Sequence, residues 1–440
     1  MLTEKELSFV RGALQTAQRL GAQHARATLS MSEEDLVATL DGEIDRVTHC
    51  ADRSLALALF VDGRFGSYST NKLEPAALEA FIAEAVAATR VLTEDPCRTL
   101  PDPARCCQDA LTGDELGLVD PARNGLSPTT RQKIALQSSV YHSDKRIISE
   151  EGEYSDSIYE TVVMDTNGVC CRHSETSFDY GVEITIESGG EKYSGYWWDA
   201  SSQLAALDAP SCGRIALAQA VGQIGSEPAA SGRYTAVIDT ERASKLVSPL
   251  LRALSGYSIQ QNNSFLMDSL GRQPFPEGLT ILDVPRIPGQ TCSKYFDSEG
   301  VATVEAPVIE RGVVKQYFIN TYMANKMQMA PTVEDATRPK VLPWPRAGLD
   351  RDAILRQCGS GILVTDFNGG NSNPVTGDFS YGIEGYFFEE GHLVRPVSGM
   401  LMTGNFLTLW SRLLAVGDDA RPCQSKLVPT LAFAEVDFSG

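Results

Sequence analysis

The stretch Ser54–Thr70, "SLALALFVDGRFGSYST", decides how the first part of the chain is built. Leu55, Leu57 and Leu59 alternate with alanines, a period of two that turns one face of a strand toward a core. Asp62-Gly63 is a pair that tight hairpin turns favour, and polar residues close the second strand. Upstream, "ARATLSMSEEDLVATLDGEIDRVTHC" (Ala25–Cys50) reads as strands joined by a turn at Asp41-Gly42. Amphipathic helices flank them. The opening "MLTEKELSFVRGALQTAQRLGA" carries its acids early, and "EPAALEAFIAEAVAATRVL" places Pro75 near its start, where a missing N–H costs nothing.

The pattern echoes downstream. Residues 95–128 are rich in Pro, Asp and Gly and read as a connection. A helix is expected over Pro128–Asp144, strands over Arg146–Trp198, and a second helical stretch to Gly225. Gly42 precedes Gly63 by 21 residues, and Gly168 precedes Gly189 by the same 21. "FGSYS" follows one pair and "YSGYW" the other, which suggests an internal duplication. A third module has one early helical region (Glu241–Gln261), then short strands bounded by Gly and Pro, among them a hairpin turning at Glu390-Gly391. The expected class is α+β: mixed modules at 1–105 and 106–228, then a strand-rich domain at 229–440.

Composition narrows the function. A net charge of −19 and no basic run of five residues argue against direct nucleic-acid contact. Apolar runs are too short to span a bilayer, and the N-terminal helix lacks signal-peptide character, so a cytoplasmic protein is expected. The ten cysteines are scattered, with adjacent pairs at Cys106-Cys107 and Cys170-Cys171 and no C-x-x-C, as expected of reduced thiols. No helical zinc motif, phosphate loop, dinucleotide fingerprint or nucleophile elbow occurs. Cys171 and His173, two apart in a strand, can share a face as a partial ligand pair. Asp297 and Glu299 are positioned for acid/base work or for holding a cation, or else form a solvated turn.

"SPLLRALSGYSIQQ" (Ser248–Gln261) continues a stripe from Leu246 through Leu250, Leu254 and Tyr257 at helical spacing, expected to be buried. Four stretches in order, "DGEIDRVTHCADRSLALALFVDGRFGSYSTN", "FDSEGVATVEAPVIERGVVKQYFINTYMANK", "GDFSYGIEGYFFEEGHLVRPVSGMLMTGNF" and "LVPTLAFAEVDFSG", resemble the TldD/PmbA family, whose members are also labelled modulators of DNA gyrase. The resemblance implies a paired system. TldD-type subunits are zinc peptidases with H-E-x-x-x-H on a helix, and PmbA-type (TldE) subunits share the fold without it.

Matched to the TldD pattern, "LLRALSGY" puts Arg252 and Tyr257 at the histidines and Ala253 at the glutamate, keeping Gly256. Cys423 falls where TldD-type chains carry a third ligand. The resemblance therefore implies no catalytic residue or metal in this chain, with zinc in a TldD-like partner. Gly256, Asp297, Glu299 and Asn405 are candidate cleft residues, and Arg252 could meet a carboxylate of a substrate or of Asp297/Glu299. The expected assembly is a heterodimer with a TldD-like subunit, or a homodimer in isolation, acting on extended or unfolded peptides with no membrane or direct nucleic-acid partner. The alternative is a stand-alone regulatory protein.

Overall fold

The computed structural model describes residues 3–440. Helix α1 (Glu4–Arg19) starts on Thr3, whose hydroxyl accepts the Lys5 N–H while Glu6 accepts the Thr3 N–H, satisfying two donors that would otherwise be orphaned. Strands β1 (His24–Leu40), β2 (Glu43–Val61) and β3 (Arg64–Thr70) and helix α2 (Pro75–Arg90) follow. Asp41-Gly42 and Asp62-Gly63 both turn with two successive positive φ angles, as the two hairpin signals predict. The second half repeats the order: α3 (Pro128–Leu136), β4 (Ile147–Asp165), β5 (Cys170–Ser188), β6 (Glu191–Ser201) and α4 (Ala209–Gly222). Helix α3 ends at Leu136, shorter than its sequence pattern suggests.

These six strands form one antiparallel sheet in the order β3-β2-β1-β4-β5-β6. The division at residue 105 thus falls in a connection, and strands from both sides of it share a sheet. The order is symmetric about the β1–β4 pair, which gives the 21-residue echo a structural counterpart. All four helices cover one face. Leu29 lies opposite Val162 and Val37 opposite Tyr154, so these four residues share a side. The first pair packs under α1 and α2, the second with residues of α3 and α4.

Between these two cores the same face carries charge. Asp35 on β1 lies directly opposite Asp156 on β4, which is fully buried. Two like charges at that spacing repel, and a buried carboxylate needs a countercharge. Arg131 grips Asp156 through Nε and Nη2 at 2.6 and 2.9 Å and reaches Asp35 at 2.9 Å. Arg123, itself buried, lies 3.1 Å from Asp156 and 3.5 Å from Asp35. The connecting segment after residue 105 is thereby bound onto the centre of the sheet.

The last module begins with β7 (Gly232–Ile238), α5 (Thr240–Ala253) and α6 (Gly256–Gln260). A small sheet follows, β8 (Ile281–Asp283), β9 (Ala306–Glu310) and β10 (Val313–Val314), then α7 (Thr321–Met327) and β11 (Pro339–Val341), in the order β10-β9-β8-β11. Next come α8 (Arg351–Cys358), β12 (Gly361–Ser372), β13 (Asp378–Glu389), β14 (His392–Asn405), α9 (Phe406–Ser411), β15 (Leu413–Val416) and β16 (Leu431–Ser439). The order β14-β13-β12-β7-β16-β15, with β14 also pairing β16, closes five of these strands into a ring. Closure removes edges that would otherwise invite pairing.

The C-terminal module docks on the helix-free face of the large sheet and on its β6 edge. Cys107 N–H bonds Gly300 O at 2.9 Å and Ala302 N–H bonds Arg105 O at 3.0 Å. At the other end Arg421 stacks 4.5 Å from Trp197 and binds Asp199 and Glu241 at 3.1 and 2.7 Å. No helix among the described residues is long and apolar enough to cross a membrane.

Replacing Arg131 with Met would leave Asp156 half-compensated, and a loss of about 3 kcal/mol is expected in urea unfolding. A loss under about 1 kcal/mol would show that Arg123 alone suffices.

Candidate functional site

The segment matched to the zinc motif lies where α5 ends. Asp239 caps its start by accepting the Glu241 N–H at 3.0 Å, and Leu246, Leu250 and Leu254 are fully buried. The expected stripe stops there. Tyr257 is 56% exposed, because the helix ends at Ala253 and a new turn begins at Gly256. The interruption falls at Leu254-Ser255, one residue before the glycine.

Tertiary hydrogen bonds hold this break open. Phe318 N–H donates to Leu254 O at 2.9 Å, and Gly256 N–H donates to Phe318 O at 2.7 Å. Gly256 has no positive φ; its role is space. A Cβ there would lie 2.8 Å from Phe318 O and 3.3 Å from Ile319 Cα. The structure thus gives Gly256 a reason to be glycine independent of any metal.

Around this break Ala253 points into the core, while Arg252 and Tyr257 are exposed. The three motif positions offer one phenol and a guanidinium, with no imidazole, carboxylate or thiol. A guanidinium stays protonated and cannot ligate, so this donor set does not fit zinc.

The other candidates separate. Asp297 Oδ1 accepts the Glu299 and Val301 N–H groups at 2.9 and 3.0 Å, and Oδ2 accepts that of Glu334 at 3.2 Å. Glu299 Oε2 accepts the N–H and hydroxyl of Thr321 at 2.9 and 2.7 Å, and its other oxygen lies 4.0 Å from Arg26 on β1. The two acids therefore organise a turn and a module contact. They neither pair with each other nor meet Arg252, which has no ion pair among the described residues, so the expected contact of Arg252 with Asp297 or Glu299 is corrected. Asn405 caps α9 by accepting the Leu407 N–H and donates to Thr376 O at 2.7 Å and Asp378 at 2.9 Å. It braces a loop.

Cys171 and His173 do share a face of β5, both buried, but their partners diverge. Cys171 is hydrogen-bonded to the Cys107 thiol, which together with burial pushes its own thiol well up, and its Sγ lies 3.3 Å from Cys107 O. His173 turns instead toward Glu175. Cys423 neighbours Asp199 and Glu241 at the opposite end of α5, roughly 16 Å along the helix from Arg252, and burial raises its thiol to about 11. It does not join the motif positions.

Among the described residues, one group of three potential ligands converges: Glu33, Asp35 and His49. Arg123 and Arg131 already occupy its carboxylates. Sequence reading missed that network. Its signal was present: Asp35 and Asp156 stand at inward positions of their strands, where apolar residues are expected.

Three family models match the chain: PmbA/TldA metallopeptidase domain 1 over residues 27–89, the central domain over 123–224 and the C-terminal domain over 231–440. The chain is 27% identical to a protein named Metalloprotease PmbA from Escherichia coli, over 98% of this chain and 97% of that one. It is 36% identical to a solved structure from Bacteroides thetaiotaomicron described as a modulator of DNA gyrase, covering 100% of both chains with a TM-score of 0.95. The structure of TldE from Thermococcus kodakarensis superposes with a TM-score of 0.84 at 19% identity, covering 98% of this chain and 100% of that one, a likeness of fold.

Gly256→Ala is expected to cost about 2 kcal/mol, read by urea unfolding, because backbone rather than a flexible side chain must yield. Burial pushes Asp297 up to about 6. An unfolded aspartate ionises near 3.9, so folding takes up a proton between these values. The stability this carboxyl contributes is full below about pH 4 and lost as pH rises through 6. Carbon-13 NMR should give its side-chain carboxyl a midpoint near 6; a midpoint near 4 would place it in water.

Proposed function

The chain belongs to the PmbA/TldD metallopeptidase family, and from that membership we propose that it is the PmbA-type, TldE-like subunit of a two-component zinc peptidase. It binds no metal itself and works with a TldD-like subunit that carries the zinc. Together they process extended peptides and unfolded chains. The observation that carries this reading is the break after α5: matched to the TldD pattern, Arg252, Ala253 and Tyr257 fall at two zinc ligands and a general base, and none can serve.

Two features support a partnered, peptide-guiding role. Tyr257, Met267 and Val375 are 56%, 38% and 52% exposed, on segments tied together through Ser264 and Phe265. Apolar groups left in water beside a degenerate site suit a surface that a similarly folded partner covers, and an isolated chain can use the same surface to self-associate. The large sheet also ends in strand β3, and an extended peptide can add to such an edge by main-chain hydrogen bonds. The description "modulator of DNA gyrase" on the Bacteroides relative keeps a regulatory reading in view, but at −19 this chain repels a phosphate backbone.

The purified chain, dialysed without chelator, should hold under about a tenth of an equivalent of zinc by mass spectrometry and hydrolyse no peptide. Mixed with a TldD-like subunit it should form a stable complex that does. Zinc near one equivalent, or hydrolysis by the chain alone, would overturn the reading.

A further inference from the structure

Where the C-terminal module lies over the helix-free face of the large sheet, the two leave a cavity of about 490 Å³. Its floor is β4 and β5 and its roof the loops around residues 292–298 and 334–337. The lining is largely apolar, with Tyr159 and Phe296 among its walls.

Four carboxylates line the same space: Glu175, Asp297, Glu334 and Asp335. Lys294, on the exposed rim, is the one basic chain among them apart from His173. Glu334 is the neighbouring charge felt by Asp335, and Glu334 and Glu299 both oppose the ionisation of Asp297. Burial raises both aspartates, and the neighbouring carboxylates add to the shift.

A second observation comes from the floor. His173 is 5% exposed, and its Nε2 has no hydrogen-bond partner. Glu175 Oε2, also unpartnered, lies 3.5 Å away, within ion-pair reach but too long for a strong hydrogen bond. Neither atom completes a hydrogen bond across that gap, so the buried Glu175 Oε2 is left an acceptor without a donor. These groups do not converge as a ligand set for a metal ion. What the cavity lacks is a cation with an apolar body and several N–H donors.

We propose that this cavity binds an alkylammonium group, the α-amine of a peptide or the side chain of a lysine, with the ammonium toward Glu175, Glu334 and Asp335 and the carbon chain against Tyr159 and Phe296. The ammonium supplies a donor to the unpartnered Glu175 Oε2 and the missing charge to the carboxylates, and the aromatic faces favour a cation beside them. This deepens the peptide-binding reading above and rests on it for the source of the ammonium. The cavity would set where one charged end of the chain lies, and so which bonds reach the partner.

The test is calorimetric titration of the full chain with four probes: tetra-alanine with a free amine, its N-acetyl form, and N-acetyl forms with lysine or norleucine at the first position. One or both of the charged peptides should bind at least about tenfold more tightly than its neutral counterpart, equivalent to about 1.4 kcal/mol. The pair that shows the difference identifies α-amine or side chain. In the double variant Glu334→Gln, Asp335→Asn, two positions that are not fully buried, the ratio should fall toward one. Equal binding of charged and neutral peptides, no binding of any, or a ratio unchanged in the double variant would overturn the proposal. So would a His173 ring that NMR finds protonated up to pH 8 and unmoved by any peptide, because Glu175 would already have its countercharge. Ammonium-selective binding by a chain that forms no active complex with a TldD-like subunit would remove the peptidase reading and leave the cavity's assignment standing.

Discussion

Two carboxylates facing each other across a buried strand pair are normally a fault, and here the N-terminal half is organised around one. Asp35 and Asp156 meet where β1 and β4 join the two repeats. They are tolerable because Arg123 arrives from the segment that links those repeats and Arg131 from α3, which follows it. The consequence is mechanical as well as electrostatic. The connection is pinned to the middle of the sheet, between two apolar cores that do not touch each other. Its earlier part, around Cys107, then crosses to the C-terminal module at Gly300. A network of this kind adds little stability over an apolar replacement, yet losing one member exposes a bare buried charge.

The arrangement also divides the sheet's faces. With all four helices on one side, the other is left to polar residues and to the C-terminal module. That face carries Glu175 and the cavity under the 292–298 and 334–337 loops. The segment matched to the zinc motif lies elsewhere, at a helix break held by Phe318. A glycine that reads in the sequence as part of ligand geometry is required by a backbone approach of 2.7 Å, so the break needs no metal. Arg252, Ala253 and Tyr257 fit the local fold without conflict.

Much of the architecture was legible beforehand. Leu55, Leu57 and Leu59 announce a half-buried strand, and Asp41-Gly42, Asp62-Gly63 and Glu390-Gly391 announce hairpins, because period and turn chemistry are properties of neighbouring residues. The repeat was visible as a spacing of glycines. The site was harder to read. Tyr257 was counted with Leu246, Leu250 and Leu254 on one stripe, which presumes an unbroken helix. Asp297 and Glu299, two apart, suggested a pair, yet each is taken up by different backbone and side-chain donors.

What the sequence by itself determined was the set of local elements, their turns, the α+β class and the absence of a zinc-binding helix motif. Each depends on residues within a few positions of one another, where propensity and periodicity act directly. The tertiary structure alone decided that the two repeats share one sheet, that five C-terminal strands close into a ring, and that Arg123 and Arg131 neutralise Asp35 and Asp156. It also decided that carboxylates from β5 and from loops over a hundred residues away line one cavity. These outcomes rest on contacts between distant segments, whose pairing depends on which buried charges and apolar faces can be satisfied together.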